Sequence, residues 1–171
     1  MRILFFLFLT LTSLFAYDYT IPKSELQSRL TKEFPVVKKT MFLTLKVSDP
    51  QLSLDGKKQR FNLKAKLTIP NIRDDKGESL QAIITLSSRI AYSEGGDLYL
   101  REIKVVDIES DAIKKDMKKM LFGTLEEIAQ EYFKSRPIYS LKDEEGMIGM
   151  AVKAIKNVKI VNEGIKIIFV I

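Results

Sequence analysis

The chain has 171 residues, a formal net charge of +6, and neither cysteine nor histidine. Without cysteine it has no disulfide, thiolate nucleophile or zinc–thiolate cluster, and without histidine it lacks the commonest general base and metal ligand. Its positive charge is spread along the chain without an arginine-rich block, and no nucleic-acid-binding module is recognisable. We therefore expect a protein that is not an enzyme and that binds no metal, cofactor or nucleic acid.

The first sixteen residues have the pattern of an export signal. Arg2 supplies a positive start, residues 3–14 are an almost unbroken apolar run, and Ala16 is a small residue that a signal peptidase accepts. The run is shorter than the ~20 residues that a membrane-spanning helix needs. Leu14 stands where alanine is preferred before a cleavage site, which keeps an uncleaved anchor as the alternative. The sequence predicts a signal peptide over residues 1–16 and one periplasmic domain over residues 17–171.

The segment after the signal predicts a strand and then a short amphipathic helix. Residues 17–21 are partly β-branched or aromatic, which favours a strand. Leu26, Leu30 and Phe34 then recur every four residues, and this spacing predicts a helix over residues 23–33 that ends before Pro35.

From residue 40 the hydrophobic period changes from about four to two. Alternation of apolar and polar residues predicts strands at 41–54, 60–69, 80–92 and 98–108. Asp49-Pro50 interrupts the first of these strands, a polar loop at 70–77 separates the second from the third, and Ile83 suggests a β-bulge in the third. A phase shift interrupts the alternation of the fourth strand. The segment therefore predicts an antiparallel meander of about four strands.

A long helix follows the meander. Ser110 is a suitable N-cap, the apolar stripe continues to about residue 135, and Pro137 prevents continuation. Tyr132, Phe133 and Tyr139 are expected to pack around this corner. Three smaller elements complete the prediction: a short strand at 138–141, an amphipathic segment at 147–156 and a hairpin at 158–171.

The order of these elements and three segments resemble the YceB-like family of bacterial putative lipoproteins, a domain of unknown function. The segments are Tyr19-Thr20-Ile21, residues 98–107 and residues 130–139. The resemblance covers nearly the whole chain after residue 16. It implies an α+β fold in which a curved antiparallel β-sheet wraps around a long α-helix, a super-roll like one half of a tubular lipid-binding protein. The family's lipobox cysteine is missing here, so covalent lipid attachment is excluded.

The facing apolar surfaces of the long helix and the meander form the candidate ligand-binding site. Since the resemblance implies an interior that holds lipid, we expect a lipid or another apolar ligand between them. The expected lining residues are Phe61, Leu63, Leu67, Ile84, Leu86, Leu98, Leu100, Met117, Met120, Leu121, Leu125 and Ile128. The alternative is ordinary packing of helix against sheet, which suits a non-enzymatic periplasmic scaffold or assembly protein with a solid core.

Two charged segments have both a binding interpretation and a simpler one. The first part of the long helix carries four lysines that either meet an anionic lipid headgroup or membrane surface, or form a solvated face: Lys114, Lys115, Lys118 and Lys119. The acidic run Asp143-Glu144-Glu145 lacks the ligand spacing of a calcium loop. It favours the charged first turn of the next helix over a metal site.

Export is tested by the intact mass of the protein from a host that processes signal peptides. We expect the mature chain to begin near Tyr17, because the apolar run is short and ends in a small residue. A mass that retains residues 1–16 would contradict cleavage and support the anchored form.

Overall fold

The computed structural model describes residues 16–144 and 146–170. In chain order the elements are β1 (Ala16–Pro22), α1 (Lys23–Glu33), β2 (Val36–Lys39), β3 (Thr44–Asp55), β4 (Arg60–Arg73), β5 (Ser79–Tyr92), β6 (Asp97–Glu109), α2 (Lys115–Lys134), β7 (Tyr139–Ser140), α3 (Met147–Met150), β8 (Ile155–Val161) and β9 (Gly164–Val170). Two 3₁₀ turns, Leu141–Asp143 and Ala151–Ala154, flank α3. The predicted signal peptide lies outside the described residues except for Ala16, with which β1 begins.

The described strands form two antiparallel sheets. The larger sheet has the order β2-β3-β4-β5-β6-β7, and the smaller has the order β1-β9-β8. The α+β class and the antiparallel meander β3 to β6 are confirmed. Strands β8 and β9 of the smaller sheet are the predicted terminal hairpin. The third strand of this sheet was not predicted, since its pairing joins the first strand to the last: Ala16 lies opposite Val170, and Pro22 lies opposite Gly164.

The inner face of the meander is the hydrophobic core that the alternation predicts. The buried residues of β4 are Phe61, Leu63, Ala65, Leu67 and Ile69, and those of β5 include Ala82, Ile84 and Leu86. The bulge predicted at Ile83 is wrong, because Ile83 lies on the other face of an unbroken alternation. The register between β5 and β6 shifts later, between Thr85 and Leu86 and between Ser87 and Arg89.

Bulges bend the meander strands at defined places. Asp49 has a φ of 54° and lies where the β3–β4 register shifts between Ser48 and Gln51. Glu102 has a φ of 50° and lies in β6 beside a register shift with β5. Such bulges increase the local twist and bend the strand that carries them. The bulge at Glu102 also accounts for the phase shift predicted in the fourth meander strand.

Helix α1 covers the part of β3 that β2 leaves unpaired. Strand β2 pairs with β3 only as far as Val36 opposite Val47. Beyond that point Gln27 donates a hydrogen bond to the Pro50 carbonyl and accepts one from the Leu52 N–H, both at 2.7 Å. The side-chain amide thus supplies the donor and the acceptor that a neighbouring strand would supply.

A second glutamine joins the two sheets. Gln59 is the last residue of the turn between β3 and β4 and has a φ of 53°. Its Nε2 donates to the Ile160 carbonyl at 2.8 Å, and its Oε1 accepts from the Ile160 N–H at 2.9 Å. Gly56 in the same turn donates to Asn162 Oδ1 at 3.3 Å. The β3–β4 turn is therefore bonded to β8 of the smaller sheet.

The long helix α2 begins four residues later than the sequence predicts. Ser110 does not cap it, because the Ser110 hydroxyl donates to the Gln81 carbonyl at 2.7 Å and accepts from the Ala112 N–H at 3.3 Å. These bonds attach the preceding loop to β5. Twenty residues remain in α2, which corresponds to a length of about 30 Å. The helix ends before Pro137, as predicted.

Three further segments differ from their predictions. Strand β4 continues into the predicted loop as far as Arg73. Strand β2 was not predicted, because its four residues are too few to show a period. The amphipathic segment at 147–156 is divided among α3, a 3₁₀ turn and the start of β8, where Ile155 pairs with Phe169 of β9. Pairing with a distant strand replaces the helix there. The predicted short strand at 138–141 is present as β7.

Gly164 is required by the close approach of the chain's two end strands. A Cβ atom at Gly164 would overlap the Ile21 carbonyl oxygen. We expect Gly164→Ala to lower the free energy of unfolding by about 3 kcal/mol, because β1 would have to move away from β9. Urea denaturation measures this change.

Gly123 provides the matched control for this substitution. A Cβ atom there has no neighbour within 4 Å, and Gly123 lies inside α2. Gly123→Ala should raise the free energy of unfolding by about 1 kcal/mol through helix propensity. Equal effects of the two substitutions would contradict the steric account of Gly164.

Candidate ligand-binding site

The residues predicted to line a cavity are nearly all inside the protein. Met117 and Ile128 are partly buried, whereas Met120 is 50% exposed. Met120 is not an interior residue, since the buried stripe of α2 runs through Leu121, Leu125, Ala129 and Phe133. The remaining nine are buried: Phe61, Leu63, Leu67, Ile84, Leu86, Leu98, Leu100, Leu121 and Leu125.

An apolar pocket of about 50 Å³ lies between α2 and the larger sheet. Five of its lining residues were predicted: Leu63, Ile84, Leu86, Leu125 and Ile128. The others were not: Phe34, Val36, Val47, Ala129, Tyr132 and Phe133. Pockets that hold small molecules are typically about 300–1,000 Å³. The pocket therefore accommodates a fragment of an acyl chain and not a whole one.

Helix α2 is attached differently on its two sides. On the β6 side, Glu126 accepts from the Val105 N–H at 3.2 Å and Gln130 donates to the Ile103 carbonyl at 3.1 Å. On the β2 side, Lys38 Nζ lies 3.0 Å from a carboxylate oxygen of Glu131, and both side chains are largely exposed. Exposed ion pairs contribute little to stability. The polar contacts of α2 are thus weaker along the pocket side.

A polar groove of about 780 Å³ adjoins the pocket. It runs between α1 and the segment from the end of α2 to Asp143. Tyr132 and Phe133 line both the groove and the pocket. The charged residues of the groove are Glu25, Arg29, Lys32, Glu33, Arg136 and Asp143. An apolar recess and a polar groove of balanced charge therefore share one wall.

The hydroxyl of Tyr139 lies between two carboxylates beside this groove. It is 2.8 Å from Glu25 Oε1 and 2.6 Å from Glu144 Oε1, and the Tyr139 residue is 2% exposed. Arg29 stacks 4.1 Å from the Tyr139 ring centroid and lies 3.2 Å from Glu25 and 3.7 Å from Glu144. A phenol has one proton, so Tyr139 donates to one carboxylate at a time. The Arg29 charge offsets one of the two carboxylate charges.

The environment of Tyr139 keeps its phenol protonated. Burial raises the pKa of Tyr139 far above its ordinary value, and the hydrogen bonds to Glu144 and Glu25 raise it further. Next to it along the chain, Ser140 donates to Asp97 at 2.7 Å. This bond, together with Lys142 at 3.1 Å, lowers the pKa of the Asp97 carboxyl. The Ser140–Asp97 bond joins β7 to β6, and the Tyr139 hydroxyl joins β7 to α1 across the groove.

Sequence reasoning missed this cluster. Tyr139 was expected only to pack around the Pro137 corner, and Glu144 to lie in the first turn of a helix. Glu144 instead accepts from Tyr139, and Glu145 lies outside the described residues. The only local signal is the spacing of Glu25 and Arg29 by four residues, which predicts an ion pair on a helix.

The described residues also bear on metal sites and membrane spans. Over residues 16–144 and 146–170, no acidic cluster of three or more side chains is arranged to hold a metal ion. Within the same part of the chain, each helix is too short or too polar to cross a membrane. Lys118, one of the four lysines of the predicted basic segment, lies 3.7 Å from Asp107 of β6.

Tyr139→Phe tests the contribution of the shared hydroxyl. We expect the free energy of unfolding at neutral pH to fall by about 2 kcal/mol, because the carboxylate that accepts from the phenol loses a buried donor. Folding raises the pKa of this phenol, so the unfolded wild-type chain loses the proton first as the pH rises past about 10. The deficit of the variant should therefore shrink above that pH.

Denaturant unfolding between neutral and alkaline pH measures both effects. Tyr92→Phe is the control, because Tyr92 is 41% exposed and its hydroxyl bonds the Lys156 carbonyl at 3.4 Å. That substitution should change stability by no more than about 0.5 kcal/mol. A Tyr139→Phe deficit that grows above pH 10 would contradict the sign of the pKa shift.

The part of the chain that matches a known protein family includes the whole candidate site. A family model described as a protein of unknown function (DUF1439) matches residues 21–164. This range contains every residue of the pocket and the groove, and an uncharacterised family agrees with the YceB-like resemblance. No curated protein matches the chain. The chain belongs to the DUF1439 family of proteins of unknown function.

Proposed function

We propose that the protein is exported to the cell envelope and binds a lipid or another apolar ligand between α2 and the larger sheet. The observation that supports this most directly is the apolar pocket between α2 and the strands β2 to β5, which opens beside a polar groove. An apolar recess with polar groups at its edge is the usual form of a small-molecule site.

The proposal includes a sheet that curves around α2 as a super-roll. Three strands lie between β2 and β6 in the larger sheet, and in a flat sheet these two strands would be about 19 Å apart. One helix is about 10–12 Å wide. Nevertheless, α2 bonds to both of these strands, to β6 through Gln130 and to β2 through Glu131. Curvature of the sheet would bring the two strands within reach of one helix. The bulges at Asp49 and Glu102 supply local bends of the required kind.

The shared wall suits an amphiphile. Its apolar chain would lie in the pocket, and its polar end would lie in the groove beside Arg29, Lys32 or Arg136. Each buried methylene contributes about 0.8 kcal/mol, so several are needed to offset the cost of association. A ligand larger than the pocket requires α2 to separate from β2, and the exposed Lys38–Glu131 pair adds only about 0–1 kcal/mol to the cost of that separation.

A second candidate function is a non-enzymatic scaffold or assembly protein. The small pocket volume favours it, because a core that encloses about 50 Å³ needs little adjustment to be solid. The two functions differ in one measurable property. A binding protein carries or takes up a lipid, whereas a scaffold does not.

Ala129→Val tests ligand binding inside the pocket. Ala129 lines the pocket from α2, and two added methyl groups would occupy the space that the ligand needs. We expect gently purified wild-type protein to show a lipid adduct by native mass spectrometry and to yield that lipid on extraction. We also expect it to take up a fluorescent fatty acid. Uptake by Ala129→Val should fall about tenfold.

Gly123→Ala is the matched control, because it adds a methyl group to α2 away from the pocket. Its uptake should equal that of wild type. If wild-type protein carries no lipid and takes up no fluorescent fatty acid, the binding function is rejected in favour of the scaffold. Equal uptake by all three proteins would place the ligand elsewhere.

A further inference from the structure

The tip of the β2–β3 hairpin exposes two large apolar side chains next to each other. Met41 is 88% exposed and Phe42 is 79% exposed. Single exposed apolar residues are common on protein surfaces. Two adjacent ones at a hairpin tip form a contiguous apolar patch, and contiguous patches mark interaction sites.

Hydrogen bonds hold the backbone of this tip in one conformation. The Thr40 N–H donates to the Leu43 carbonyl at 2.8 Å, and the Leu43 N–H donates to the Thr40 hydroxyl at 3.0 Å. Asn71 of β4 donates to the Phe42 carbonyl at 2.8 Å and accepts from the Thr44 N–H at 3.0 Å. Met41 and Phe42 are therefore exposed to solvent on a backbone that these hydrogen bonds hold in place.

The outer face of the sheet beside the tip is basic. Val36 faces the pocket, so the alternation of β2 places Lys39 on the outer face. Lys46 pairs with Val37 and Thr68 on that face, and Lys66 follows opposite Ser48. The sequence between Glu33 and Asp49 contains three lysines and no acidic residue.

The neighbouring β4–β5 turn carries charges of both signs. Its basic residues are Arg73 and Lys76, and its acidic residues are Asp74, Asp75 and Glu78. The Asp74 carboxylate accepts from the N–H groups of Lys76 and Glu78 at 2.9 Å, which directs it into its own turn. Lys38 is left out of the count because it pairs with Glu131 on the pocket side. With Lys39, Lys46 and Lys66 included, the tip and the turn carry five positive and three negative side chains.

We propose that the β2–β3 tip docks the protein on an anionic lipid bilayer. Met41 and Phe42 enter the boundary between headgroups and acyl chains, and Lys39, Lys46 and Lys66 contact lipid phosphates. A bilayer fits this surface because its phosphates lie outside its acyl chains. When the apolar tip reaches the acyl chains, the lysines behind the tip lie at the depth of the phosphates. The proposal is independent of whether the interior binds a ligand.

The chain contains no tryptophan, so Phe42→Trp introduces a single tryptophan at the tip, and its emission is excited selectively at wavelengths where the tyrosines do not absorb. The probes are vesicles of phosphatidylcholine and vesicles of phosphatidylcholine mixed equally with phosphatidylglycerol. With the mixed vesicles we expect a blue shift of the emission and quenching by brominated acyl chains. Replacing Lys39 or Lys46 by Gln in this background should weaken binding about fivefold for each lysine.

Met150→Trp is the matched control, because Met150 is 78% exposed and lies in α3, outside the tip. It should show neither shift nor quenching, including when residues 1–16 are retained and bind the vesicles themselves. Unchanged Phe42→Trp emission with mixed vesicles would overturn the proposal. Equal quenching in both vesicle types would also overturn it. A blue shift that appears without vesicles and grows with protein concentration would overturn it too, because it indicates a second copy of the chain at the tip.

Discussion

The pairing of β1 with β9 is the constraint from which the position of α1 follows. Only glycine fits at residue 164, because the Ile21 carbonyl occupies the space of a Cβ atom. The Lys23 N–H then donates to the Glu163 carbonyl at 2.8 Å, so the first residue of α1 is attached to the β8–β9 turn. From that fixed start, Glu25 and Arg29 reach Tyr139, which β7 carries on the other sheet. The groove thus depends on a contact between the chain's two ends.

Glutamine side chains complete the edges of the sheets where no strand is present. A primary amide has the same donor and acceptor as a peptide group, so Gln27 satisfies β3 and Gln59 satisfies β8. An unpaired backbone group in a partly buried position would cost stability. Each glutamine removes that cost and determines which distant segment docks there. Helix α1 and the β3–β4 turn take these places without adding strands.

The two sides of α2 suggest how a closed core and a binding function coexist. Backbone atoms of β6 hold one side, while an exposed ion pair with β2 spans the pocket side. In the proposed function, ligand entry separates α2 from β2 and leaves the β6 contacts in place. Strand β2 also leads to the Met41–Phe42 tip, so docking on a bilayer would bring the pocket side of the protein close to a source of lipid.

Local periodicity determined much of this protein. Alternation identified the core residues of β4 and β5, and a period of four identified α1 with its observed bounds, because these patterns record which side of an element avoids water. Only the tertiary structure decided the β1–β9 pairing, the later start of α2 and the cluster in which Tyr139 contacts Glu25, 114 residues away. Such contacts depend on which distant surfaces meet and which polar groups need partners there. Periodicity reports the burial of a side chain, but it does not identify the neighbour that buries it.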